Sequence, residues 1–184
     1  MENESPENES QLATLFLAFS RQKLLGQYWP RLEKCVASLT GEQIWWRPNP
    51  QSNSIGNLLL HLNGNVTQWL VASFNRLEDK RDRPAEFAAQ VGATAAALLE
   101  RLGATMAQAA AVLDRLTAEE LLAPYEIQGY HVRGLDAVYQ VVEHFGLHYG
   151  QIVYIAKLLT ETDLGFYSAL SKTGRTERAA DANP

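Results

Sequence analysis

The chain is poor in cysteine, in long apolar runs and in positive charge. Cys35 is the single cysteine among 184 residues, so no intramolecular disulfide can form and we expect a reducing compartment. It lies at helical spacing with Leu32, Val36 and Leu39, which predicts a small core residue rather than a nucleophile. No stretch approaches the roughly 20 apolar residues that cross a bilayer, so we expect no membrane role.

The charge and the first residues of the chain exclude two further classes of function. A formal net charge of -5 offers no basic surface from which a nucleic acid could displace counterions, so we expect no nucleic-acid partner. The first ten residues are acidic and polar, unlike the basic start and apolar core of a signal peptide. The expected location is therefore the cytoplasm.

Apolar residues recur at helical spacing over much of the chain. Hydrophobic residues make up 46% of it and charged residues 20%, which suits one domain with its own core. An alternating stretch at 125–132, with Gly129 in the turn, predicts a small β-hairpin before the last helix. The predicted fold class is all-α, a four-helix bundle with short extra helical turns and that hairpin. The apolar spacing predicts long helices at about 11–39, 54–75, 94–116 and 135–160.

The two ends and one internal segment lack this periodicity. We expect a flexible N-terminus at 1–8, a bundle domain at 9–170 and a flexible C-terminal tail at 171–184. Pro30 should bend the first helix, because proline removes a backbone donor and crowds the preceding turn. The charged segment 76–84 (RLEDKRDRP) is expected only to connect two helices.

Three of the four histidines carry the chemistry that the sequence suggests. His148 interrupts the apolar stripe of the last helix, and His144 lies one turn earlier on nearly the same face. This HxxxH spacing is a common way to present two metal ligands from one helix. His61 borders the stripe of the second helix, and bundle cores assemble metal sites from facing helices. A divalent ion would offset the cost of burying unpartnered imidazoles, about 1–3 kcal/mol each.

Plainer interpretations compete with a metal site. A lone histidine on an apolar face is commonly a hydrogen-bonded core residue, and an i, i+4 pair can face solvent. His131 belongs to the hairpin and is expected to be exposed rather than a fourth ligand. Glu143 adjoins His144 in sequence, but one residue turns it about 100° away on a helix, so it is a poor general base.

Several motifs resemble those of a known superfamily. NSIGNLLLHLNGN at 53–65 and VEHFGLHYGQ at 142–151 look like the DinB/YfiT superfamily, and more narrowly like its uncharacterised DUF1572 branch. WWRP at 45–48 and DLGFY at 163–167 are similar to the same branch. The resemblance implies a four-helix bundle, often dimeric, that grips one divalent metal. The ligands that it implies are His61, His144 and His148.

Three amides lie within one helical turn of these histidines. Gln151 completes an HxxxHxxQ pattern that many members of the superfamily share, so it is expected to support a ligand or to face a substrate. Asn57 and Asn65 flank His61, and either could hold an imidazole in its ligating tautomer. The alternative for all three is an ordinary solvated amide. Trp46, Tyr130 and Tyr149 are candidates for the lining of a cleft.

The resemblance also implies a range of activities. Characterised relatives are thiol-dependent transferases or isomerases, and others have been described as metal-dependent hydrolases. The first expectation is a metal-dependent transferase that uses a low-molecular-weight thiol on a small electrophilic substrate. The alternatives are a hydrolase using metal-bound water and a non-catalytic structural or sensing bundle. The hydrolase is weakened because no convincing carboxylate accompanies the histidines.

The expected partners are a small-molecule substrate and a second copy of the chain, forming a homodimer. The expected cofactor is one divalent ion, with a thiol as cosubstrate. Imidazole ligands suit zinc, nickel and iron, so the sequence leaves the identity of the ion open.

Overall fold

The computed structural model describes residues 6–168, with side chains from residue 8 onward. Within this range four long helices form the bundle, which confirms the predicted fold class. The elements are α1 (Pro6–Arg21, π-helical Gln22–Tyr28, Trp29–Val36), α2 (Gly41–Trp45), α3 (Ile55–Val66, π-helical Thr67–Ala72, Ser73–Asn75), α4 (Arg83–Ala88), α5 (Ala95–Arg115), α6 (Ala118–Leu122), β1 (Pro124–Ile127), β2 (Tyr130–Arg133) and α7 (Gly134–Thr160).

Helix α1 begins at Pro6, five residues before the predicted start. Residues 6–8, which were expected to be flexible, are therefore helical. The remainder of the two predicted tails, 1–5 and 171–184, lies outside the described residues.

Capping residues explain where two of the long helices begin. Before α3, the Ser54 hydroxyl accepts a hydrogen bond from the Asn57 N–H, and the Asn57 side chain accepts one from the Ser54 N–H. Before α5, the Thr94 hydroxyl accepts from the Ala97 N–H. These side chains satisfy amide groups that have no partner within the first turn of a helix.

Helix α1 passes through Pro30 by changing its backbone pattern. In a regular α-helix the Pro30 ring would crowd the carbonyl of Gly26, four residues earlier. The π-helical stretch Gln22–Tyr28 contains Gly26 and ends two residues before the proline. A wider helical turn therefore stands where the sequence predicts a bend.

The core lies where α3 and α7 meet the other long helices. Helix α3 packs against α4, α5 and α7. On α7, Val138, Val141, Phe145 and Ile152 are fully buried, which matches the predicted apolar stripe. Cys35 is buried in the same core, as predicted. No helix among residues 6–168 has the length and apolarity needed to span a membrane.

The predicted hairpin is present and packs against α7. Strands β1 and β2 are antiparallel and pair Tyr125 with Val132 and Ile127 with Tyr130. Gln128 and Gly129 connect them with positive φ angles of 55° and 79°, the conformation of a type I′ turn. Such a turn favours glycine at its second position, where Gly129 stands.

The segment at 76–84 does more than connect two helices, so that expectation is wrong. Its last residues open α4, whose first turn is capped by Asp82 through a hydrogen bond from the Ala85 N–H. The side chain of Arg81 is only 5% exposed. The charge of the Arg81 guanidinium is paired with buried side chains instead of facing water, because the segment 76–84 folds back over α3.

Candidate metal centre

The fold brings the three predicted histidines together. His61 projects from α3 and is 3% exposed, while His144 and His148 project from α7 and are half-buried. The ring centroids of His61 lie 5.0 Å from those of both His144 and His148, and the latter two are 4.4 Å apart. One nitrogen from each ring can be chosen so that all three lie within 4.8 Å of one another.

A buried carboxylate orients the His61 ring through Nδ1, the ring nitrogen that does not face His144. Glu86 on α4 lies with Oε2 2.9 Å from His61 Nδ1, and the two side chains are 10% and 4% exposed. Arg81 binds the same carboxylate through two nitrogens: Nε lies 2.7 Å from Oε1, and Nη2 lies 2.9 Å from Oε2. Burial would raise the pKa of Glu86, but hydrogen bonds from Arg81 and His61 outweigh it and hold that pKa below its ordinary value.

These contacts select the tautomer of His61. Arg81 Nη2 also lies 3.0 Å from His61 Nδ1, but a guanidinium carries only donors. The negative charge of Glu86 favours a proton on Nδ1, which then donates to the carboxylate. The lone pair of Nε2 therefore points away from Glu86, and Nε2 lies 2.9 Å from His144 Nε2. A carboxylate behind an imidazole is the usual arrangement at histidine metal sites.

Gln151 acts on His148 in a similar way. The Gln151 Oε1 atom lies 2.7 Å from His148 Nδ1, so Nδ1–H donates to the amide oxygen and Nε2 keeps a free lone pair that could bind an ion. Gln151 itself is exposed. The structure thus places this predicted residue beside a candidate ligand, on the outer side of the ring.

The imidazoles of α7 are held in the neutral state that metal binding requires. Burial, the neighbouring rings of His148 and His61, and nearby arginines lower the pKa of His144 to about 4. Burial also lowers the pKa of His148, although its hydrogen bond with Gln151 acts in the opposite direction. Both rings are therefore neutral near pH 7, with one nitrogen of each ring free of a proton.

The donor set fits a divalent ion. Nitrogens bound to one tetrahedral zinc at about 2.0–2.1 Å lie roughly 3.3 Å apart, which falls between the 2.9 Å separation of the His61 and His144 nitrogens and the 4.8 Å limit for the set. Small side-chain rotations would equalise these separations. Three imidazoles without a carboxylate leave a position for a further ligand, as in catalytic rather than structural zinc sites.

Asn57 is buried but makes no hydrogen bond with His61. Its Nδ2 donates to the carbonyl oxygens of Glu86 and Ala89 at 2.9 Å and 2.7 Å, and its Oδ1 accepts from Arg47 at 2.8 Å. The structure gives the contact with the His61 ring to Glu86, and Asn57 ties down the helix that carries this carboxylate. His131 is exposed and lies outside the histidine cluster, as expected.

A cleft of about 560 Å³ opens beside His61 and His144. Helix α3, the hairpin and α7 form its walls, and Asn65 and Tyr130 are among its lining residues. Trp46 and Tyr149 do not line it; Tyr149 packs instead on Tyr28, with ring centroids 5.4 Å apart. A second cavity, of about 570 Å³, shares Arg81 with the cleft but contains none of the three histidines.

Glu86 and Arg81 are residues of the candidate site that the sequence did not reveal. Asp82 followed by Pro84 is a helix-start signal that could have placed Glu86 on a short helix. No local signal indicates that this helix packs on α3 with its carboxylate against His61.

Solved structures of low sequence identity share this fold. A conserved protein from Enterococcus faecalis superposes with a TM-score of 0.62 at 20% identity, over 83% of this chain and 98% of its own. A DinB-like protein from Bacillus cereus superposes with a TM-score of 0.58 at 14% identity, over 72% of this chain and 85% of its own. At these identities the likeness shows the fold alone, that of a DinB-like helical bundle.

The family follows from sequence. The DUF1572 family, described as proteins of unknown function, matches residues 11–172. The chain belongs to this family, which confirms the resemblance that its motifs suggest. A search of curated proteins found no match.

Proposed function

We propose that this protein binds one divalent metal ion through His61, His144 and His148 and transfers a low-molecular-weight thiol to a small electrophilic substrate. The observation that carries the proposal is the convergence of three imidazoles at the edge of an open cleft. Two of these rings are held by hydrogen bonds at Nδ1, His61 by Glu86 and His148 by Gln151. Such support from behind keeps ligating nitrogens in register and is characteristic of functional metal sites.

The protein and the bound ion would contribute different parts of this reaction. A divalent ion held there would stabilise a thiolate at neutral pH, where a free thiol is mostly protonated. The protein supplies neutral imidazoles, a fixed His61 tautomer and a cleft in which an electrophile can approach. This reaction needs no separate carboxylate base.

Hydrolysis is the second candidate, and the positions of the carboxylates disfavour it. Glu86 is committed to Arg81 and to the outer nitrogen of His61. Asp136 lines the cleft, but it is eight residues before His144 on α7, about 12 Å along the helix axis. Hydrolysis at such a site usually pairs the ion with an acid or base residue.

Elemental analysis tests the metal site directly. The purified protein should carry close to one equivalent of a divalent metal, and the His148→Ala variant should lose most of it. His131→Ala is the matched control, because His131 is exposed and outside the cluster. Equal metal content in all three proteins would contradict the assignment of these ligands.

Turnover assays then separate the candidate functions. The metal-loaded protein is incubated with a panel of electrophiles, with and without common cellular thiols, and in parallel with ester and amide substrates. Turnover that depends on a thiol supports the transferase, and turnover of esters or amides without a thiol supports the hydrolase. A thermal stability that falls on metal removal, with no turnover in either panel, would leave a structural or sensing role.

Two further predictions accompany this proposal. The protein is expected to act in the cytoplasm and to form a homodimer. Sedimentation velocity of the metal-loaded protein tests the dimer, and a single species with a mass near 20.5 kDa would rule it out at the concentration used.

A further inference from the structure

Two buried polar groups in the cleft beside the histidines have no hydrogen-bond partner. Asn65 and Trp69 both line the cleft and are 3% and 5% exposed. The Oδ1 atom of Asn65 and the Nε1 atom of Trp69 are shielded from solvent and make no hydrogen bond with any described residue. One is an acceptor and the other is a donor. Buried polar groups are nearly always paired in native proteins, so each calls for an explanation.

The other buried amides of α3 all have hydrogen-bond partners. Asn57 makes several hydrogen bonds to the segment around α4, and Asn63 is bonded to Thr105 at 2.9 Å. Gln68 is bonded to Arg81 at 2.8 Å. These three amides of α3 are thus paired with other side chains or backbone groups, whereas Asn65 Oδ1 has no partner among the described residues.

The spacing along α3 connects these two groups with the metal centre. His61, Asn65 and Trp69 follow one another at intervals of four residues, so they lie in one row along a helix face, about 6 Å per step. A ligand whose head reaches the histidine cluster would pass Asn65 and then Trp69. Tyr130 of the hairpin stands over the far end of this row, with its ring centroid 6.3 Å from that of Trp69.

We propose that the cleft recognises an amide group in the ligand that reaches the metal centre. The ligand N–H donates to Asn65 Oδ1, and the ligand carbonyl oxygen accepts from Trp69 Nε1. A secondary amide offers one N–H donor and one carbonyl acceptor, on two atoms joined through the carbonyl carbon, which matches the pair of unpartnered groups in number and kind. A hydroxyl combines both roles in a single oxygen and reaches two groups one turn apart less well. The inference rests on the proposed function in taking the thiol as the head of that ligand.

Two thiols that differ in a single group provide the test. N-acetylcysteamine carries a thiol and an amide, and 2-mercaptoethyl acetate replaces the amide N–H by an ester oxygen with little change of shape. Binding to the metal-loaded protein is measured by calorimetry. The amide is expected to bind about 5–10-fold more tightly than the ester, as the loss of one buried hydrogen bond predicts.

Variants assign this preference to the two side chains. Asn65→Ala should abolish the preference for the amide, because it removes the acceptor of the N–H. Trp69→Phe should weaken both probes by a similar factor of about 5, because both retain the carbonyl oxygen. Asn75→Ala, at the exposed end of the same helix, is the control and should bind both probes as the parent protein does. Metal content is measured for each variant, so that a lost ion is not mistaken for a lost contact.

A second pair of probes separates this inference from the thiol chemistry. N-acetylglycine and O-acetylglycolate repeat the amide and ester comparison with a carboxylate head. If neither thiol binds but N-acetylglycine is preferred in an Asn65-dependent way, the amide site stands and the thiol proposal fails. If the thiols bind with equal affinity, or 2-mercaptoethanol binds as tightly as N-acetylcysteamine, the amide site is overturned and the thiol proposal survives. Binding of no probe in either pair overturns both.

Discussion

We predict that removing the negative charge of Glu86, the carboxylate hydrogen-bonded to His61, lowers the metal affinity of the protein by a measurable factor. Glu86→Gln keeps the shape of the side chain and an oxygen that can accept from His61 Nδ1, but it removes the negative charge at 2.9 Å. Removal of such an outer partner typically lowers metal affinity by about 10–100-fold, or about 1.4–2.8 kcal/mol. Competition against a chromophoric chelator measures this affinity directly.

The same substitution should also destabilise the fold, and the two effects must be separated. Arg81 is 5% exposed, so Glu86→Gln leaves a buried guanidinium without its anion, which costs about 3–5 kcal/mol in comparable pairs. The double variant Arg81→Met with Glu86→Gln removes both charges and should recover much of the free energy of unfolding in urea. Its metal affinity should nevertheless stay about 10–100-fold below that of the parent protein, because His61 still lacks its carboxylate.

Glu100→Gln is the matched control for this experiment. Glu100 is exposed on α5, so its substitution should change neither metal affinity nor stability. A double variant that binds metal as tightly as the parent would refute the role given to Glu86 and reduce it to a partner of Arg81.

Further predictions follow from close contacts and from burial. Gly64→Ala should lower metal affinity, because a Cβ atom at this position would overlap the Glu86 carboxylate. Gly150→Ala is the control, because a Cβ atom there meets nothing within 4 Å, and it should be neutral or stabilise α7 by up to about 1 kcal/mol. Chelator competition measures the metal affinity of both variants, and urea unfolding measures their stability. Burial raises the pKa of the Cys35 thiol to about 11, so alkylation by iodoacetamide at pH 8 should be slow in the native protein and fast in urea; rapid native labelling would contradict this burial. In the metal-free protein, the pKa of His144 is lowered from 6.5 to about 4, so the unfolded chain takes up this proton first as pH falls. The contribution of His144 to the free energy of unfolding should then decrease between pH 6.5 and 4 and level off below, and His144→Gln should lose this component of the pH profile.

Much of the architecture was determined by local sequence. Apolar spacing acts over one or two helical turns, so the ranges of the long helices and the apolar stripe of α7 could be predicted without knowledge of the fold. Gly129 marked the hairpin for the same reason, since a tight turn depends on its own two central residues. The three histidines could be proposed as one site because each lies on a face that a bundle must bury or bring to its core.

What the tertiary structure decided is which distant groups meet. Glu86 is 25 residues from His61 in the chain, and their contact depends on how a charged segment folds over α3. The sequence suggested Asn57 and Asn65 as supports for His61 because both lie one turn away. Asn57 instead fixes the backbone around α4, and Asn65 faces the cleft unpaired. Spacing along a helix specifies a face, but only the packing of the other elements specifies what that face meets.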